Sequence, residues 1–86
     1  MAVKVKRLVL DSQKPLETPK LDLTLALCSI NGIEGVILSV MEVDLNTETI
    51  RLLITGQDIR YERVQDVLSN FRSAVRSIDE IEVRRE

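Results

Sequence analysis

Histidine and tryptophan are absent from this chain of 86 residues, and cysteine, tyrosine and phenylalanine occur once each. Without histidine there is no Ser-His or Cys-His pairing of nucleophile and base. One cysteine and no histidine cannot build a tetrahedral zinc site, an iron–sulfur cluster or the Cys-x-x-Cys loop of a heavy-metal chaperone. A lone cysteine also closes no internal disulfide, which points to a reducing compartment, so the expected location is the cytoplasm. Cys28 itself is expected on the apolar face of a helix, as a buried, inert thiol. The two aromatics, Tyr61 and Phe71, both fall in a helical segment, which leaves no stacking platform for bases. Glycine is scarce as well, and the stretch from Asn31 to Gly35 lacks the lysine and hydroxyl of a phosphate-binding loop.

Charge of one sign is missing too. Twelve basic and 14 acidic residues leave a formal net charge of -2, too little field to gather a polyanion, so no nucleic acid is expected as partner. The basic ends (Lys4, Lys6 and Arg7; Arg84 and Arg85) read as solvated strand edges. No apolar run approaches the ~20 residues that span a bilayer, so no membrane association is expected. No signal peptide is expected either, because the charged N-terminus has no apolar stretch followed by a small-residue cleavage site.

What remains is an ordinary globular composition, 44% apolar and 30% charged. Residues 1–86 form one domain. A domain this small buries only ~60–65% of the surface of its unfolded chain. Its core is thin, and oligomerisation is a natural source of added stability.

Residues 3–10 begin with strict alternation and end in an apolar run, which predicts a strand. Residues 11–19 are rich in turn formers and read as a connection. Thr18-Pro19 predicts a helix start with the Thr18 hydroxyl as cap. The helix then runs over 19–30, with Leu21, Leu25 and Cys28 on one side and Leu23, Leu27 and Ile30 widening it. Asn31-Gly32 stops it. Residues 36–43 form the second strand: Val36, Leu38 and Val40 point one way, Ile37, Met41 and Val43 the other. A polar hairpin loop over 44–49 leads to a third strand over 50–55. Val64, Val67, Leu68 and Phe71 fall at helical spacing and mark the second helix. The last strand covers 75–83, with Ile81 and Val83 on one face and Ile78 on the other.

Strand, helix, strand, strand, helix, strand, with right-handed crossovers, predicts an α+β ferredoxin-like sandwich: a four-stranded antiparallel sheet with two helices on one face and the first and third strands central. Leu8, Leu10, Ile37, Met41, Val43 and Leu53 exceed what one sheet face needs. A homo-oligomer packing the open face or a strand edge is therefore expected.

Short segments spread along the chain also match a known pattern. Arg7-Leu8-Val9-Leu10-Asp11 with Lys14-Pro15, Gly35-Val36 leading to Val40-Met41-Glu42-Val43-Asp44, Ile54-Thr55-Gly56, and Ser77-Ile78-Asp79-Glu80-Ile81 stand in one order over nearly the whole chain. In this the chain resembles the archaeal domain of unknown function 211 family. The resemblance implies a ferredoxin-like fold in a self-associating protein of unassigned activity. The family usually has a glycine pair and a histidine ahead of the last segment. Here Arg72, Ser73 and Arg76 occupy those places, so a role resting on that histidine does not carry over.

Carboxylates are the remaining reactive groups. Hard cations such as Ca²⁺ or Mg²⁺ take oxygen ligands alone. Two candidate metal groups follow: Glu42, Asp44 and Glu48 around the hairpin, and Asp11, Asp79 and Glu80 on the neighbouring first and last strands. Against the second group, Arg7 and Arg76 are placed to pair with Glu80 and Asp11 across strands. The leading expectation is a non-enzymatic, self-associating domain that binds a divalent cation or small ligand between subunits. The alternative is a regulatory module binding a small molecule of amino-acid type beside residues 11–19. An enzyme using carboxylates as acid and base comes last.

Overall fold

Alternation in the first third of the chain carries further than the expected strand. The computed structural model describes residues 2–86 and places a first strand, β1, over Val3–Pro15. Leu8, Leu10, Ser12 and Lys14 keep one buried row at every second position, so the chain stays extended through most of the expected connection. Then follow α1 (Lys20–Cys28), β2 (Ile33–Val43), β3 (Thr47–Gly56), α2 (Tyr61–Asn70) and β4 (Ala74–Arg85). The strands form one antiparallel sheet in the order β2-β3-β1-β4, with β1 and β3 central. This is the ferredoxin-like α+β fold that the element order implies.

The core lies between one sheet face and the helices. Leu8 stands opposite Ile54 and Leu10 opposite Leu52, and this double row packs with Leu23 and Leu27 of α1 and Val64 and Leu68 of α2. Each such side chain contributes about 1.5–3 kcal/mol when fully buried. Leu8 and Leu10 are thus core residues and not part of an apolar surplus.

Two departures from alternation correct the expected strand faces. In β4, register shifts let Val75, Ile78 and Ile81 oppose Ser12, Leu10 and Leu8, so Ile78 and Ile81 share the helical side. A spacing of three residues, unsuited to a regular strand, is absorbed by bulges. In β2, a shift between Val40 and Glu42 brings Val43 opposite Glu48, on the helical side rather than with Ile37. The open face keeps only a narrow apolar row, Ile37–Leu53–Val9, with Ser39, Arg51 and Asp11 in the next row.

Strands and helices differ in reach. At ~3.3 Å per strand residue and 1.5 Å per helical residue, β1 spans about 43 Å and each helix about 14 Å. The molecule measures 47 Å along its longest axis, so the helices shield only its middle. Beyond them Val3 and Val83 at one end and Met41, Val43 and Leu45 at the other are exposed. Among the described residues no helix is long and apolar enough to cross a membrane.

The helix ends are built differently. Thr18 does not cap α1: Pro19 holds the N-cap position without a side-chain hydrogen bond. The Thr18 hydroxyl instead donates to the Phe71 carbonyl at 3.1 Å, tying the start of α1 to the end of α2. α2 ends in a Schellman turn. The Ser73 N–H donates to the Leu68 carbonyl and the Arg72 N–H to the Ser69 carbonyl, with Arg72 left-handed at φ 59°.

Candidate functional site

Glu48 follows the inward row of β3, with Ile50, Leu52 and Ile54, whereas Glu42 stands opposite Thr49 and points to the other face. A hairpin separates such neighbours by the thickness of the sheet. Asp44 sits in the turn, where its backbone N–H donates to the Thr47 carbonyl. The expected hairpin group of Glu42, Asp44 and Glu48 therefore does not converge. The second group is also dispersed. Glu80 stands opposite Val9 and reaches diagonally to pair with Arg7 at 2.6 Å. Asp79 accepts from the Ser77 hydroxyl at 2.8 Å. Asp11 faces Arg51 and Ser77 across its two neighbouring strands, and its Oδ1 is buried without a hydrogen-bond partner. It forms no ion pair with Arg76 among the described residues. Nowhere among the described residues do three acidic or cysteine side chains gather closely enough to share one ion.

The acid that is buried has other partners. Lys14 lies opposite Glu48 in the register of β1 and β3, and its Nζ stands 2.6 Å from Glu48 Oε1. Lys14 is only 1% exposed and also donates to the Pro15 carbonyl at 2.8 Å. Lys20, in the first turn of α1, reaches Glu48 Oε2 at 3.2 Å. Hydrogen bonding from Lys14, with a further contribution from Lys20, holds the Glu48 carboxyl below its usual range against the opposing effect of burial. This cluster clamps the loop between β1 and α1 and fixes where α1 starts. It was legible in principle: continuing the row Leu8, Leu10, Ser12 by two residues reaches Lys14.

The surface has a second unexpected feature. Leu23 and Leu27 of α1 are fully buried, while Leu21 and Leu25 are 69% and 58% exposed. At 3.6 residues per turn Leu21, Leu25 and Cys28 share the side of α1 that points away from the sheet. Cys28 is accordingly exposed, at the end of the helix, and not a buried filler. α2 behaves as an ordinary surface helix: Val64 and Leu68 are buried and Glu62, Arg63 and Asp66 face solvent.

Between α2 and the edge strand β4 runs an open groove of about 550 Å³, floored by Leu68, Val75 and Ile78 and walled by Tyr61, Gln65 and Arg76. The groove exists because α2 leaves the outer flank of β4 uncovered, where Ile78 and Ile81 are 42% and 57% exposed. A smaller hollow of about 280 Å³ is lined by Asn31, Gly32, Asp58, Arg60 and Arg63. Gly32, at φ 95°, permits the close approach of this turn to Asp58, because a Cβ there would collide with the Asp58 carbonyl.

Comparison with known proteins finds two similarities. The model of the domain of unknown function 211 family, described as "Uncharacterized ArCR", matches residues 6–85. An uncharacterized protein of Methanocaldococcus jannaschii is 34% identical over 77 residues, which cover 90% of this chain and 79% of that protein.

Proposed function

The chain belongs to the domain of unknown function 211 family, whose activity is uncharacterized, and from that premise we propose that it is a non-catalytic domain that works by associating with copies of itself. One observation carries the proposal: α1 is apolar on two opposite sides, and only one is buried. A helix hydrophobic all round belongs in an interior. In a single copy the outer row of Leu21 and Leu25 lies in water; a second copy supplies the missing cover.

Catalysis has little support. No carboxylate pair stands apart as acid and base, and Glu48, held ionised by Lys14 and Lys20, is a poor proton donor near neutrality. Since the acids of one chain do not converge, a divalent cation within this reading is bound only by carboxylates of two copies. Ca²⁺ then raises the melting temperature and chelator lowers it.

A ligand-binding module is the second reading. A hollow of about 240 Å³ beside Glu17, Thr18 and Pro19, near the loop after β1, favours it. A thermal-shift screen against the twenty amino acids tests that reading: a raised melting temperature with one of them supports it, and twenty null results reject it.

Native mass spectrometry tests the main proposal. A single oligomer at micromolar concentration is expected, and Leu25→Asp should reduce it to monomer with its circular dichroism unchanged. A wild-type monomer throughout the concentration range rejects self-association.

A further inference from the structure

β2 and β4 are the two edges of the sheet, and they are guarded unequally. We infer that the edge of β2 is a docking site for an extended segment of another protein, apolar along its length and basic at both ends, which adds to the sheet as a further strand. This goes beyond self-association and uses a surface other than the outer side of α1.

An edge strand presents unpaired N–H and C=O groups, and folded proteins protect it with bulges and charges. β4 is protected in this way. Its register against β1 shifts at Arg76 and Asp79, and Glu80, Glu82, Arg84 and Arg85 follow. β2 also has shifts, at Glu34 and Met41, but between them residues 35–40 pair with β3 without a break. That stretch reads Gly-Val-Ile-Leu-Ser-Val and holds no charge and no proline. Alternate residues there turn their backbone groups away from β3, about three N–H and three C=O in all. Among the described residues, the backbone of 35–40 has no hydrogen bond beyond its ladder with β3. The Cys28 thiol reaches only the Glu34 carbonyl, at 3.8 Å, just outside the stretch.

Side chains set the character of the guest. Val36, Leu38 and Val40 stand opposite Ile54, Leu52 and Ile50 on the helical side, and Ile37 stands opposite Leu53 on the open face. Ile37 is 58% exposed and Val40 41%. An added strand continues both rows by one residue, so aliphatic or β-branched side chains on either of its faces gain cross-strand partners.

Charge sets the ends. Glu34 bounds the stretch on one side, and Glu42 and Asp44 bound it on the other. Glu42 and Asp44 take no ion pair among the described residues, and the Glu34 carboxylate meets only the Gln57 side-chain amide, at 3.3 Å. Arg51, the one base in the facing part of β3, stands between Ser39 and Asp11. A lysine or arginine at each end of the guest answers these acids, and a guest with acidic ends is turned away. The same acids disfavour a second copy. β2 set antiparallel against β2 brings the Glu34 end of one chain to the Glu42 end of the other, acid against acid. The bulged and charged edge of β4 is a poor match for the regular, uncharged run of 35–40.

The test uses the whole chain and a synthetic peptide, Lys-Val-Thr-Val-Ile-Val-Thr-Lys. A second peptide carries glutamate at both ends, and a third carries proline in place of isoleucine. Fluorescence anisotropy of the labelled peptide reads binding, and amide hydrogen exchange over residues 35–40 locates it. The lysine peptide is expected to bind, to weaken with added salt, and to slow exchange in that stretch several-fold. The glutamate peptide and the proline peptide, which cannot complete the ladder, should bind at least roughly tenfold more weakly. Ile37→Lys places a charge in the open edge and should abolish the slowing, with circular dichroism unchanged. Should it misfold, Ser39→Lys, also at an exposed position, poses the same question. Absence of binding, equal binding of the lysine and glutamate peptides, or binding that Ile37→Lys leaves unchanged overturns the inference. Slow exchange of residues 35–40 in the free chain that speeds on dilution would place a second copy on this edge and overturn it as well.

Discussion

The two helices occupy equivalent places in a pseudo-repeated fold and obey different rules. α2 buries Val64 and Leu68 and shows water charged and polar groups, as a helix at a surface should. α1 buries Leu23 and Leu27 and shows water two more leucines. They are also anchored at opposite ends. α1 is fixed at its start, where Lys20 meets Glu48 over the buried Lys14. α2 is fixed at its finish, by the Schellman turn through Arg72. A helix amphipathic in the usual way is complete within one chain. One that is apolar on two sides is, in the function proposed above, a structural element of something larger.

The sharpest way to break this contrast is within α1 itself. Leu27→Ala should cost about 2–5 kcal/mol in urea unfolding, since a buried leucine is lost and a cavity left. Leu25→Ala, two positions away, should stay within about 0.5 kcal/mol at dilutions where the chain is monomeric. It should nevertheless weaken assembly. Equal costs at the two positions would mean that both sides of α1 are interior within one chain.

The anchor of α1 comes next. Lys14→Met leaves the Glu48 carboxylate buried against an apolar neighbour and should lower the melting temperature more than the double change Lys14→Met with Glu48→Leu. A double variant less stable than the single one would show that the ion cluster itself, rather than the avoidance of an unpaired charge, stabilises the loop. The same cluster sets a pH dependence. The carboxyl of Glu48 titrates lower in the folded chain than in the unfolded one, chiefly through hydrogen bonding from Lys14. Its stabilisation is complete above the unfolded value of about 4.3. It is lost as pH falls through the folded value. Glu48→Gln should flatten the acid limb of thermal unfolding in part. Glu86, also lowered by Lys6, keeps the remainder. An unchanged acid limb would remove Glu48 from the account.

The anchor of α2 has the smallest expected effect. Arg72 holds a left-handed conformation that glycine adopts without strain. Arg72→Gly relieves that strain but frees the unfolded chain, so a gain of no more than about 1 kcal/mol is expected. A clear loss of stability would mean that the Arg72 side chain, and not the turn alone, secures α2.

The fold was legible because hydrophobic periodicity and turn residues agree along most of the chain. Val64, Val67 and Leu68 marked α2, and the alternation from Ile50 to Ile54 marked β3. The misreadings have physical causes. Bulges in β2 and β4 moved Val43 and Ile78 to the other face, and a bulge leaves no mark in apolar spacing alone. Lys14 was hidden among turn-forming neighbours, although it continues the inward row of β1. The breadth of apolar surface on α1 was visible in the sequence, but periodicity could not say which side the sheet would take. That choice left Cys28 outside with Leu21 and Leu25. The acids Glu42, Asp44 and Glu48 are close in sequence, yet strand alternation sends Glu48 inward and away from the others.

Cys28 offers the most direct test of the central claim, because the only thiol of the chain lies beside the exposed side of α1. The rate at which a small disulfide reagent labels it would be followed as protein concentration rises from nanomolar to tens of micromolar, with Leu25→Asp as control. If a second copy covers α1, labelling of the wild type slows several-fold as the chain assembles, while the variant keeps its fast rate throughout. A wild-type rate independent of concentration, equal to that of the variant, would contradict the claim and leave the outer leucines of α1 as bare surface.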